Sequence, residues 1–192
     1  HRWGMFWSLG FMWNIKNEAF LKEIEWLTNA QIKLSTGTSG NSEIPYYDHL
    51  ALVAGDANYN DEAGIYPKQS GNEELSWEQT WANNIGLTLG FFNRVNLNVD
   101  FYHKKTTNML MLVPQSYAIT GVGNRWDNIG AMMNRGVEIA MDGDVIRTKY
   151  FTWNLSANVS YNKNKLLELY NGVEEYVNST TGLKYVVGHP VH

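Results

Sequence analysis

One pair of imidazoles near the end of the sequence has the spacing of metal ligands. His189 and His192 lie three residues apart, but a structural zinc ion takes four protein ligands, and no third candidate accompanies the pair. The sequence has no cysteine. It also lacks the Gly-x-Ser-x-Gly, phosphate-loop and zinc-helix motifs of common enzyme classes. These residues predict no resident metal, no cofactor and no enzyme activity.

A second set of residues resembles the start of a calcium-binding loop. Asp56, Asn58 and Asn60 have the alternate spacing of the first three calcium ligands. However, Asp61 stands where the loop requires glycine, and Pro67 stands where the bidentate Glu belongs. An EF-hand is therefore excluded, and looser binding of a cation such as calcium in this segment is left open.

Polar side chains alternate strictly with apolar ones in two segments, residues 95–101 and 151–162. A period of two gives two chemically different faces only in an extended strand. The same alternation is expected in 136–146. The polar candidates for contact with a ligand are Asn96, Asn98, Asp100, Glu138, Asp142, Asn154 and Asn158. Their simplest interpretation is a wall that faces water.

Aromatic residues are unusually frequent, with eight tryptophans in 192 residues. Aromatic girdles at the two membrane interfaces are typical of outer-membrane barrels, so this frequency favours lipid over a second sheet as the apolar neighbour of the strands. A further group of aromatic residues lies in segments without periodicity, where it could stack on sugar rings, pack against a lid protein or hold a loop compact. This group consists of Tyr46, Tyr47, Tyr59, Tyr66, Tyr117 and Trp126.

Composition and charge exclude several classes of protein. The net charge is −4, from 19 acidic and 15 basic residues without a run of like charge, so the sequence predicts no nucleic-acid partner. A 44% hydrophobic content excludes a disordered tail. The sequence has no stretch of about twenty apolar residues, so no transmembrane helix is predicted. Because the sequence begins in a strand-like pattern without Met or a signal peptide, we expect a segment of a longer polypeptide.

Short turns alternate with long loops along the predicted strands. The turns are expected at 92–94 and 147–148, the long loops at 38–72 and 108–128, and one or two helical turns within 17–26. This asymmetry is typical of transmembrane barrels, with short periplasmic turns and long extracellular loops. Strands are predicted at residues 5–15, 30–37, 75–92, 94–107, 136–146 and 149–165, with one more beginning near residue 183.

The segment Asn134, Arg135, Gly136 precedes a predicted strand. We expect Gly136 to serve a bulge or bend there. Arg135 and Glu138 are expected to pair with neighbouring charges on the water-facing side.

Several motifs resemble one family of proteins. Residues 75–80 and 84–92 read LSWEQT and NIGLTLGFF, residues 128–139 read NIGAMMNRGVEI, and residues 151–154 and 161–165 read FTWN and YNKNK. In this order they resemble the L-x-W-E-x-T, N-I-G-L, N-R-G-V-E and F-x-W…N-K-N-K segments of the SusC/RagA family of TonB-dependent outer-membrane transporters. The resemblance covers nearly the whole chain, and NRGVE is its most specific part.

The resemblance implies an all-β fold: an antiparallel transmembrane barrel segment of six to eight strands from a 22-stranded barrel in the outer membrane of a Gram-negative bacterium. It implies that residues 1–192 are part of the barrel domain and that a plug domain lies outside them. It further implies import of oligosaccharides or peptides, a SusD-like surface lipoprotein as partner, and energy from the TonB complex. The polar candidates would then contact the plug or the substrate.

Two alternatives remain open from the residues alone. One is a small self-contained outer-membrane barrel that acts as an adhesin or anchor. The other is a soluble carbohydrate-binding β-sandwich, because sandwiches also alternate apolar and polar residues. Exposure of the apolar face to lipid would separate both membrane interpretations from the sandwich.

Overall fold

A computed structural model describes residues 3–44, 46–59, 61–177 and 182–191. Within them, six antiparallel strands form one sheet in the order β1-β2-β5-β6-β9-β10, and three two-stranded sheets accompany it. The twelve strands are β1 Ser8–Trp13, β2 Leu27–Asn41, β3 Leu52–Tyr59, β4 Glu62–Gln69, β5 Glu78–Phe91, β6 Val95–Thr107, β7 Leu110–Pro114, β8 Asn124–Asn128, β9 Ala131–Arg147, β10 Thr152–Glu168, β11 Glu175–Val177 and β12 Lys184–Val186. The predicted all-β, antiparallel architecture is confirmed.

The register of the main sheet aligns residues of the same character from strand to strand. One apolar row reads Trp13, Ile32, Leu87, Val99, Ile139 and Val159. The neighbouring polar row reads Lys33, Gly86, Asp100, Glu138 and Ser160. Because successive side chains of a strand point to opposite faces, one face of the sheet is apolar and the other is polar.

Short and long connections leave opposite ends of the sheet. At one end, residues 92–94 join β5 to β6 with positive φ at Phe92 and Asn93, which confirms the predicted turn. The next hairpin turns at residues 148–151, where Thr148 donates to the Phe151 carbonyl, rather than at 147–148 as predicted. At the other end, residues 42–77 and 108–130 form the long connections. We call these the turn end and the loop end.

The sequence predicted two long loops, and both long connections are present, but the hairpin that each contains was not predicted. The first contains the β3–β4 hairpin and the second contains the β7–β8 hairpin. The strand predicted from residue 5 begins at Ser8, and β2 extends from Leu27 to Asn41 rather than over 30–37. The strand expected near residue 183 is β12, which pairs with β11 and does not join the main sheet.

The largely buried apolar residues lie near the ends of the sheet rather than on its faces. They are Leu27, Ala30, Leu75, Val113, Val122, Ala131, Leu166 and Leu169. The α-helices are single turns, α1 Ala19–Lys22 and α2 Tyr117–Thr120, and α1 falls where helical turns were predicted. No helix among the described residues has the length and apolar character needed to cross a membrane.

The apolar face has no protein layer over it in the described chain. Large side chains on it are substantially exposed, among them Phe11, Leu34, Ile85, Phe101, Leu155, Val159 and Tyr161. Large apolar side chains exposed in neighbouring rows are uncommon on the surface of a water-soluble monomer. The sheet therefore has the two chemically distinct sides that a wall between lipid and water requires.

Candidate functional site

All seven polar residues singled out from the sequence lie on the polar face of the main sheet. Asn96 is opposite Asp142, Asp100 is opposite Glu138, and Asn98 lies in one row with Asn158 through Ala140. Asn154 joins the same face after a register shift, opposite Asp144. The alternation of residues along β6, β9 and β10 thus places the whole set on one surface.

Towards the turn end, this surface has a polar depression of about 340 Å³. Asn96 Nδ2 donates to Asp142 Oδ2 at 2.9 Å, and Asn154 Nδ2 donates to Asp144 Oδ1 at 3.3 Å. Arg147 lies 3.7 Å from the other Asp144 oxygen. These bonds tie each amide to a carboxylate of the neighbouring strand.

The middle of the polar face carries two acidic side chains that form no ion pair among the described residues. Asp100 and Glu138 are directly opposite each other on β6 and β9, an arrangement that is unfavourable for like charges. Together they line depressions of about 470 and 360 Å³. Lys104 also lines the larger depression, and Lys33 lies in the same row of the sheet, across Gly86 from Asp100.

Glycine makes room for two side chains of this surface. A Cβ on Gly86 would lie 2.6 Å from Asp100 Oδ1, and a Cβ on Gly136 would lie 2.6 Å from Cζ of Tyr102. Gly136 lies inside β9 where the pairing is regular, so the predicted bulge or bend was wrong. The glycine is required there because the Tyr102 ring, directly opposite, covers it.

Arg135 does not share a face with Glu138. It lies opposite His103 on β6 and Lys163 on β10, on the side of the sheet that carries the apolar rows. The predicted pairing of Arg135 with charges of the polar face was therefore wrong. Three residues separate Arg135 from Glu138, and an odd separation in a strand reverses the face.

The loop aromatics fall into two groups. Trp126 Nε1 donates to Asp48 Oδ2 at 2.7 Å and thereby ties the two long connections together. Tyr66 bonds Asp56, and this hydrogen bond, with the negative charge of the carboxylate, raises the pKa of Tyr66 above its usual 10.0. In contrast, Tyr46, Tyr47 and Tyr117 are exposed. The side chain of Tyr59 lies outside the described part of the structure.

A cavity at the loop end escaped the sequence analysis. It has a volume of about 530 Å³ and lies between the two long connections, with His49, Asn72, Glu73, Trp77 and Leu110 among its lining residues. These residues come from segments that the sequence predicted as irregular or as strand. No spacing rule links them, because the cavity forms where the two ends of the first long connection meet, with Leu110 of the second connection beside them.

Neither set of metal-like residues forms a ligand cluster within the described ranges. Asp56 and Asn58 lie in strand β3 rather than in a loop, with Asp56 at a register shift and bonded to Tyr66. Asn60 and His192 lie outside the described residues. Across residues 3–44, 46–59, 61–177 and 182–191, no group of three or more His, Cys, Asp or Glu side chains is placed to hold a metal ion.

The described sheet is open and antiparallel, with one apolar and one polar face, and its two longest connections lie at one end. These features define a segment of an outer-membrane type β-barrel. The chain matches the family model described as TonB dependent receptor-like, beta-barrel over residues 1–190. The chain therefore belongs to the TonB-dependent receptor β-barrel family. The sequence resemblance is confirmed.

Individual relatives agree with this assignment. The chain is 38% identical over 168 residues to TonB-dependent receptor P39 of Formosa agariphila, which covers 87% of the chain and 16% of the relative. It is 34% identical over 184 residues to TonB-dependent receptor SusC of Bacteroides thetaiotaomicron, and this match covers 90% of the chain and 18% of the relative. A solved structure of the RagAB peptide transporter superposes with a TM-score of 0.86 at 38% identity, and the match covers 96% of this chain and 20% of that one.

The chain thus spans less than a fifth of the length of these curated relatives. It corresponds to part of a larger barrel, and the family implies a bacterial outer membrane. The relatives carry the names of receptors and of a transporter.

Proposed function

We propose that this chain forms part of the barrel wall of an active importer in the outer membrane. The observation that carries the proposal is the two-faced sheet, with apolar rows on one side and amide and carboxylate rows on the other. In a barrel, the apolar side faces lipid and the polar side lines the lumen. The relatives named SusC and RagAB support this assignment.

We further propose that the lumen is closed by a plug domain outside residues 1–192 and that the TonB complex acts on that plug. The cargo would be an oligosaccharide or a peptide, captured together with a SusD-like surface lipoprotein. The similarity to a peptide transporter supports a peptide cargo. The exposed Tyr46, Tyr47 and Tyr117 at the loop end support an oligosaccharide cargo, because aromatic rings stack on sugars.

In this proposal Asp100 and Glu138 contact the plug or the cargo. Two adjacent carboxylates that form no ion pair among the described residues are a favourable partner for a basic or hydrogen-bond-donating group in the lumen. By contrast, the hydrogen bonds from Asn96 to Asp142 and from Asn154 to Asp144 shape the wall near the turn end.

The test is an uptake measurement with the full-length receptor. Cells with and without the receptor gene receive a labelled oligopeptide mixture or a labelled oligosaccharide mixture, each with and without a protonophore. The proposal predicts receptor-dependent accumulation of one mixture that the protonophore abolishes. Equal accumulation with and without the gene, for both mixtures, would contradict import.

The role of the two carboxylates is tested with matched variants. Asp100→Asn combined with Glu138→Gln should reduce receptor-dependent uptake about tenfold, the effect of losing one charged contact. Glu23→Gln combined with Glu25→Gln removes the same charge from the exposed β1–β2 connection at the turn end and should leave uptake unchanged. An equal effect of both pairs would refute a specific role.

A further inference from the structure

A cluster of basic side chains lies on the apolar side of the sheet, beyond the apolar rows. We call it the basic band; its members are His103, Lys105, Arg135, Lys163 and Lys165. The register sets His103, Arg135 and Lys163 side by side in one row, and it sets Lys105 and Lys165 in the next row, on either side of Met133. Three adjacent strands thus concentrate positive charge on one patch of the outer face.

No carboxylate lies within the two rows of the basic band. Its members take part in none of the ion pairs among the described residues. The acidic residue that follows on this side, Glu168, lies opposite Ala131, one further row towards the loop end. His103, Lys105, Arg135 and Lys163 are exposed. Neighbouring like charges across strands are unfavourable, so an anion against this patch would relieve the repulsion.

The position of the band along the strands indicates which anion is available. The row immediately below it contains Phe101, Val137 and Tyr161, and from there the apolar rows continue to the turn end. Aromatic side chains mark the membrane interface in barrels. The basic band therefore lies one step beyond the hydrocarbon, at the depth of lipid headgroups. It lies towards the loop end, which is the outer side in such barrels.

We propose that the basic band binds the phosphate groups of an anionic lipid of the outer leaflet. Arg135 can hold a phosphate through two parallel hydrogen bonds, and the flanking lysines add point charges. The apolar rows directly below would pack against the acyl chains of the same lipid. A second copy of this surface would bring the same positive charge and is disfavoured as the occupant. The inference goes beyond import and does not depend on the cargo.

The test measures lipid binding to the full-length receptor in neutral phosphatidylcholine nanodiscs by native mass spectrometry. The two probes are monophosphorylated lipid A and the same lipid after dephosphorylation. The outer-face variant is Lys105→Gln combined with Lys163→Gln. The matched control is Lys33→Gln combined with Lys104→Gln, which removes two exposed lysines from the polar face of the same sheet.

The wild-type receptor should prefer the phosphorylated lipid. A basic residue near an anionic membrane surface contributes about a fivefold gain in affinity, so the outer-face variant should lose about twenty-five-fold for that lipid. Its affinity for the dephosphorylated lipid should not change, and the control should stay within about twofold of wild type. Circular dichroism of each variant reports whether the barrel is folded.

Three results would overturn the proposal. The wild-type receptor could bind both lipids equally, or the two variants could lose affinity equally. In the third, the outer-face variant would change association between receptor copies while lipid binding stays the same, which would make the band a protein contact. If the outer-face variant does not fold, Arg135→Gln alone replaces it, with an expected loss of about fivefold.

Discussion

A single arginine at Leu97 should destabilise the barrel strongly, because Leu97 lies at the middle of the apolar side. Its row contains Leu89, Met141 and Ala157. On β10, Ala157 is four residues from Trp153 and four from Tyr161. At about 3.3 Å per residue and a tilt of about 40°, each aromatic residue is about 10 Å from this row along the membrane normal.

The expected cost follows from this depth. Arginine on the lipid side of a barrel costs about 2–4 kcal/mol at the bilayer midplane and about 0–1 kcal/mol near the interfaces. Leu97→Arg should therefore lower the free energy of unfolding by about 2–4 kcal/mol. His103→Arg, on the same face but beyond the aromatic residues, should change it by less than about 1 kcal/mol.

The matched control places the same charge on the other face. Ala140 is exposed, lies opposite Asn98 on the polar face and is flanked along β9 by Glu138 and Asp142. Ala140→Arg should be neutral or slightly stabilising. The measurement is guanidinium unfolding of the full-length receptor in phosphatidylcholine vesicles, followed by tryptophan fluorescence. Equal destabilisation by Leu97→Arg and Ala140→Arg would refute the assignment of the two faces.

Three further predictions concern contacts within the described residues. Gly136→Ala would force a Cβ against the Tyr102 ring and should cost about 1–3 kcal/mol, seen as a lower thermal midpoint; an unchanged midpoint would contradict the close packing. Trp126→Phe removes the bond to Asp48 and should speed hydrogen exchange around residues 46–50, whereas unchanged exchange would show that the bond does not hold the loops. Asn128→Ala removes side-chain hydrogen bonds to the backbone of Ser76 and Asn108, which lie at the bases of the two long connections. It should increase proteolysis of residues 42–77, and resistance equal to wild type would contradict this role of Asn128.

The sequence predicted the faces of the main sheet well because the alternation of residues is a local property. In β6, every second residue from Val95 to Phe101 is apolar, and the register preserves this order across β5 and β9. The seven polar candidates shared one face for the same reason. Arg135 was assigned to the wrong face, although the same counting of odd and even positions places it on the other face of β9 from Glu138. That error was avoidable from the sequence.

Other features depended on contacts that no local pattern shows. The β3 strand contains Gly, Asp and Asn, which have low strand propensity. Bonds between distant segments, such as Trp126 to Asp48, order this region instead. The sequence predicted a bulge or bend at Gly136 because glycine often occurs at such positions. The contact with Tyr102 becomes apparent only when β6 and β9 are paired.

The central claim is that the main sheet separates lipid from a water-filled lumen, and a spin-label scan of residues 95–102 tests it most directly. Residues 1–192 contain no cysteine. Single cysteines are introduced into this segment one at a time, in a full-length receptor in which every cysteine outside the segment is replaced by serine, and the labelled receptor is placed in vesicles. The account predicts that labels at odd positions collide mainly with oxygen and labels at even positions with a water-soluble nickel complex, with a period of two. Equal access of the nickel complex to labels on both faces would contradict the claim.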